Sequence, residues 1–132
     1  MARTTVDRLL EDARSTLERL EPHDAAAAMD AGALLVDTRD QAIRDRVGTI
    51  PGSVHVPWSV LYWRLDPTSS SSDPALTDQG RHVIVMCSHG YSSSIAAATL
   101  QQLGFARATD LAGGFEAWRD AGLPVEPPTG AG

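Results

Sequence analysis

His82-Val83-Ile84-Val85-Met86-Cys87-Ser88-His89-Gly90-Tyr91-Ser92-Ser93 is followed by an alanine-rich stretch to Leu103. Residues 83–86 are an unbroken apolar run of strand length, the pattern of a strand covered on both faces. Residues 91–103, rich in alanine and free of proline, predict a helix. Strand, tight loop and helix therefore follow within a few residues, and Cys87 stands at the strand's carboxyl end, where open α/β sheets bind their ligands.

Working outward, Leu34-Leu35-Val36-Asp37 is a second apolar run ending in a carboxylate, and it predicts another buried parallel strand. Ser53-Val54-His55-Val56 reads as a short strand after the Ile50-Pro51-Gly52 turn, and residues 108–111 as a last one. Helical spacing of Val6, Leu9, Leu10, Ala13, Leu17 and Leu20 predicts an amphipathic helix running from Thr5 up to Pro22. Residues 23–29 form a second helix. Pro57 opens a third, carrying Trp58, Val60, Leu61 and Trp63, with Trp58, Tyr62 and Trp63 expected to pack on the sheet. Phe115 and Trp118 lie on a final short helix and belong to the core. Helices alternating with apolar strands imply an α/β domain with a parallel sheet covered on both faces. The expected division is an N-terminal helical extension over 1–21, a domain over 22–125 and a mobile tail over 126–132.

The 132 residues carry 17 acidic against 11 basic side chains, net −6, the wrong sign for neutralising nucleic-acid phosphates or anionic lipid. All the cations are arginine, which excludes lysine Schiff-base chemistry and a P-loop lysine. One cysteine excludes an internal disulfide, and four histidines at 23, 55, 82 and 89 show no metal-ligand spacing. No metal is expected. His55 and His82 read as structural histidines and His23 as a helix-start residue. No apolar stretch approaches the ~20 residues of a membrane helix, and no signal-peptide core follows the first basic residue, so a cytoplasmic protein is expected.

The chemistry centres on Cys87. Main-chain N–H groups of the loop and of the first helical turn point to where a thiolate would lie, and Gly90 with the small Ser88, Ser92, Ser93 and Ser94 leaves room for a cradle of amides. Lowering a thiol from its free value of about 8.5 to about 7 takes roughly 2 kcal/mol of preferential stabilisation, within reach of such a cradle. A cysteine at the end of an apolar strand can equally be a small buried hydrophobe.

Four motifs in order carry a resemblance: Leu34-Leu35-Val36-Asp37-Thr38-Arg39; Gly48-Thr49-Ile50-Pro51-Gly52-Ser53-Val54-His55-Val56-Pro57; the stretch through Cys87-Ser88-His89-Gly90-Tyr91-Ser92-Ser93; and Leu111-Ala112-Gly113-Gly114-Phe115-Glu116-Ala117-Trp118. Together they resemble a rhodanese domain. The resemblance implies a central parallel sheet of about five strands with helices on both faces. It implies a single-domain sulfurtransferase in which Cys87 takes sulfane sulfur from a donor, thiosulfate or a persulfide, holds it as a persulfide and passes it to a thiophilic acceptor. Ser88, His89, Gly90, Tyr91, Ser92 and Ser93 would then bind substrate, and no metal or organic cofactor would be required.

Rhodanese loops often carry a basic residue beside the cysteine and another five positions on; here those are Ser88 and Ser92. Weak thiosulfate activity is therefore expected, with a small-molecule or protein persulfide as donor and a thiol as acceptor. Related phosphatases need a longer loop and an arginine six positions after the cysteine, where this chain has Ser93. Asp37 and Arg39 match a D-x-R element that supports the loop, or form a structural ion pair. A weakly active binding or sulfur-sensing module of the same fold stands as the rival reading. The N-terminal helix is left as a cap on the sheet or as a homodimer contact.

Overall fold

The computed structural model describes residues 2–129. Four parallel strands form one sheet in the order β2-β1-β3-β4: β1 Leu34–Asp37, β2 Val54–His55, β3 Val83–Met86 and β4 Thr109–Asp110. β1 and β3 sit in the centre, register Leu34 to Val83 through Asp37 to Met86, and all eight of these residues are buried. Alternation along them splits the core in two. Leu34, Val36, Val83 and Val85 face one side, with Leu61, Leu65, Leu100 and Phe105. Leu35, Ile84 and Met86 face the other, with Ala25, Ile50, Leu111, Phe115 and Trp118. Both faces of a parallel sheet are thereby dry, as the unbroken apolar runs require.

About five strands are expected, and the described residues form four. The fifth place, beside β4, is taken by a single parallel bridge between Leu20 and Leu111, in which Leu20 N–H donates to the Asp110 carbonyl and Ala112 N–H to the Leu20 carbonyl.

Among the described residues, six α-helices complete the layers: α1 Val6–Arg14, α2 Pro22–Asp30, α3 Gln41–Val47, α4 Leu61–Leu65, α5 Ser92–Gln102 and α6 Gly114–Asp120. The first differs from expectation. Thr5 caps α1 through its hydroxyl, but the helix ends at Arg14. Leu17 turns into the core and Leu20 joins the sheet edge. Pro22, read as a stop, occupies the first position of α2, where its missing N–H costs nothing. α3 was not foreseen: it buries none of its side chains fully and so leaves little apolar period to read.

The turn after Pro57 also departs from expectation. Only Leu61 and Leu65 of α4 are fully buried, while Trp58 and Trp63 are 64% and 58% exposed. Glu126, assigned to the tail, exchanges two main-chain hydrogen bonds with Thr49; residues 130–132 of that tail lie outside the described residues. No helix among the described residues is long and apolar enough to cross a membrane.

Candidate active site

Cys87 leaves β3 at its carboxyl end and is 8% exposed. It opens on a cavity of about 280 Å³ walled by Thr38, Arg39, Ile43, Trp58, Tyr91 and the loop itself. Gly90 N–H donates to Cys87 Sγ at 3.2 Å. Gly90 adopts φ +82°, a backbone conformation that side chains disfavour, so glycine is what lets the chain fold back over the sulfur.

Burial pushes the Cys87 thiol up, but hydrogen bonding by the Ser92 and Ser93 hydroxyls and by the Ser93 and Gly90 main-chain N–H groups outweighs it, holding the thiol below its ordinary value. The Ser93 hydroxyl has one proton, and it has a second claimant in Asp110 Oδ2 at 2.7 Å. The main-chain donors and Ser92 therefore carry the larger share of the stabilisation.

The loop is also held from below. Phe115 N–H donates to the Cys87 carbonyl at 2.9 Å and Glu116 N–H to the Ser88 carbonyl at 3.2 Å, so the first turn of α6 meets the loop's outward-turned oxygens. Gly114 makes this approach feasible: a Cβ there would lie 2.4 Å from the Cys87 carbonyl oxygen.

Of the loop residues named from the sequence, Ser88, His89, Tyr91 and Ser92 line the cavity, and Gly90 touches the sulfur. Ser93 is fully buried beside the cavity rather than lining it, and its hydroxyl donates to Asp110 Oδ2. His89 is exposed and its Nε2 meets the Glu116 carboxylate.

Asp37 and Arg39 form a buried pair. Arg39 N, Nε and Nη2 donate to the Asp37 carboxylate at 2.8–3.0 Å, and Arg44 Nε adds a fourth bond at 3.0 Å. Burial pushes the Asp37 carboxyl up, but the hydrogen bonds and charge of Arg39, with Arg44, hold it below the usual carboxylate value. The Arg39 guanidinium lies 4.2 Å over the Phe115 ring, and the Arg39 main-chain carbonyl accepts from His55 Nε2 at 2.7 Å. The pair thus ties β1 to the cavity wall.

Three supporting residues escaped the sequence reading. Asp110, fully buried at the end of β4, accepts from the Ser93 and Ser94 hydroxyls and from Arg19 Nε at 2.9 Å. Arg14 and Arg19 each donate an Nη2 to the Gly90 carbonyl. A carboxylate closing a strand was the available signal for Asp110, as it was for Asp37; nothing local marked the arginines. Among the described residues there is no cluster of three or more metal-ligating side chains.

Comparison with known proteins identifies the family. The profile of the rhodanese-like domain matches residues 21–121. A thiosulfate sulfurtransferase from Pseudomonas savastanoi is 39% identical over 77% of this chain and 87% of its own length. Its counterpart from Stutzerimonas stutzeri is 40% identical over 77% and 84%. Among solved structures, a Rhodopseudomonas palustris protein of unknown function, described as a possible tyrosine phosphatase, superposes with a TM-score of 0.86 at 34% identity, covering 96% of this chain and 99% of that one. A sheet-end cysteine cradled by amides, inside a domain matched over most of its length, places this chain in the rhodanese family.

Proposed function

We propose that the protein is a rhodanese-type sulfurtransferase in which Cys87 carries the sulfur. The Cys87 thiolate attacks the sulfane sulfur of a donor. The donor's S–S bond breaks, its electron pair departs with the leaving sulfite or thiolate, and the enzyme holds Cys87 as a persulfide. An acceptor thiolate then attacks the terminal sulfur and the Cys87 thiolate is released. The carrying observation is the Gly90 N–H on Cys87 Sγ at the floor of an open cavity. Amides that hold a thiolate can hold the terminal sulfur of a persulfide, because neither needs a side-chain cation.

For the donor we favour a persulfide over thiosulfate, although the curated relatives bear the thiosulfate name. Ser88 and Ser92 offer hydrogen bonds and no charge, and the exposed Trp58 and Tyr91 give the cavity an aromatic rim. A doubly charged anion would lose water there without gaining a loop cation. Phosphatase chemistry is disfavoured on the same ground, since the position that would hold a phosphate-gripping arginine is a buried serine bonded to Asp110.

Turnover is tested with glutathione persulfide, thiosulfate and mercaptopyruvate as donors, following sulfide or thiocyanate release. The expected result is a kcat/KM for glutathione persulfide at least about tenfold above that for thiosulfate, a difference of about 1.4 kcal/mol, and loss of all transfer in Cys87→Ala. Stable persulfidation without transfer would instead assign a sulfur-sensing module, and retained activity in Cys87→Ala would remove the cysteine from the chemistry.

A further inference from the structure

We propose that Arg14 and Arg19 are positioning residues of the sulfur site, which makes the segment ahead of the rhodanese domain a working part of it. This rests on the reading of Cys87 as the sulfur carrier.

Residue 90 is gripped from both sides. Its N–H donates to Cys87 Sγ, and its carbonyl accepts from Arg14 Nη2 at 2.8 Å and from Arg19 Nη2 at 2.9 Å. The two arginines lie 76 and 71 positions away in sequence, so neither contact follows from local chain geometry. Gly90 is buried, so its carbonyl needs a protein donor, and one would suffice. Seating two guanidiniums on one oxygen instead restricts two long side chains and brings like charges together. The arrangement fixes the direction of the peptide that holds the sulfur. It also puts positive charge behind a loop whose own positions 88 and 92 are uncharged.

Asp110 makes the second half of the case. It is fully buried beneath the same loop, where an uncompensated carboxylate would oppose a thiolate. Arg19 compensates it through Nε on Oδ1 at 2.9 Å and Nη2 on Oδ2 at 3.2 Å. Arg14 adds Nε on the Ser94 hydroxyl at 3.1 Å and lies 5.7 Å over the Tyr91 ring at the cavity rim. The segment reaches this position because α1 packs along α5 and Leu20 is stitched to the sheet edge.

Cys87 is the only cysteine, so its alkylation by iodoacetamide reports one site. The rate is measured against pH for the full chain, Arg14→Ala, Arg14→Lys, Arg19→Lys and the control Arg8→Ala, whose parent side chain pairs with exposed Asp12. Arg19→Ala is avoided because it strands Asp110 and would confuse folding with function. Arg14→Ala and Arg19→Lys should each raise the alkylation midpoint by about half a pH unit or more, a threefold or larger loss of thiolate below the midpoint. Arg14→Lys should recover part of the loss, and Arg8→Ala should match the parent. Folded Arg14→Ala and Arg19→Lys with an unmoved midpoint would overturn the inference while leaving the sulfur-carrier reading intact. A parent midpoint at or above that of a free thiol would instead overturn the reading on which it rests.

Discussion

At the scale of single residues, two buried acidic groups are held below their ordinary pKa by different means. Cys87 relies on main-chain and hydroxyl donors, whereas Asp37 relies on guanidiniums, chiefly that of Arg39. For Asp37 the consequence is a pH-dependent share of stability. Its folded-state pKa lies below the unfolded value of about 3.9, so its contribution is fully present above that pH and is lost as pH falls through the folded value. Asp37→Asn should cost about 3–5 kcal/mol near neutrality, because it leaves Arg39 buried without its carboxylate. It should also flatten the acid limb. Urea unfolding at pH 7 and at pH 3 checks both: the gap between parent and variant must narrow at the lower pH, and a gap independent of pH would contradict this account.

At the scale of elements, the molecule divides between parts that were legible in the sequence and parts that were not. β1 and β3 were legible because they are buried on both sides, which forces uninterrupted apolar runs. The loop after β3 was legible because a cysteine, a glycine and small serines stand between such a strand and a helix. α3 was hidden by its polarity. The end of α1 was misread because Leu17 and Leu20 keep a helical spacing while serving a turn and a sheet bridge. The tryptophans misled in the opposite direction: size predicts burial, yet Trp58 stands open on the cavity rim. Trp58→Ala should therefore change unfolding free energy by no more than about 0.5 kcal/mol, while raising KM for an organic persulfide several-fold with little change in kcat. A matched pair of thermal melts and Michaelis curves decides this, and a large drop in Tm with unchanged KM would make Trp58 a packing residue.

At the scale of the whole molecule, the sulfur site is assembled from distant parts of the chain. β3 delivers Cys87, α6 supports the loop's carbonyls, β1 supplies Arg39 to the cavity wall through Asp37, and the N-terminal segment reaches Gly90. The long-range contacts among these parts explain why the support of the site was less readable than the site itself. A local pattern can announce a thiolate cradle, but Arg14 and Arg19 look like ordinary solvated cations until the fold brings them to the loop.

Intact-mass measurement tests the central claim most directly. The full chain is mixed with glutathione persulfide, freed of the donor and weighed, then treated with cyanide and weighed again. The account predicts one added sulfur atom, absent in Cys87→Ala, that leaves as thiocyanate and restores the original mass. A parent chain that reacts with iodoacetamide at Cys87 yet gains no sulfur from the persulfide would contradict it.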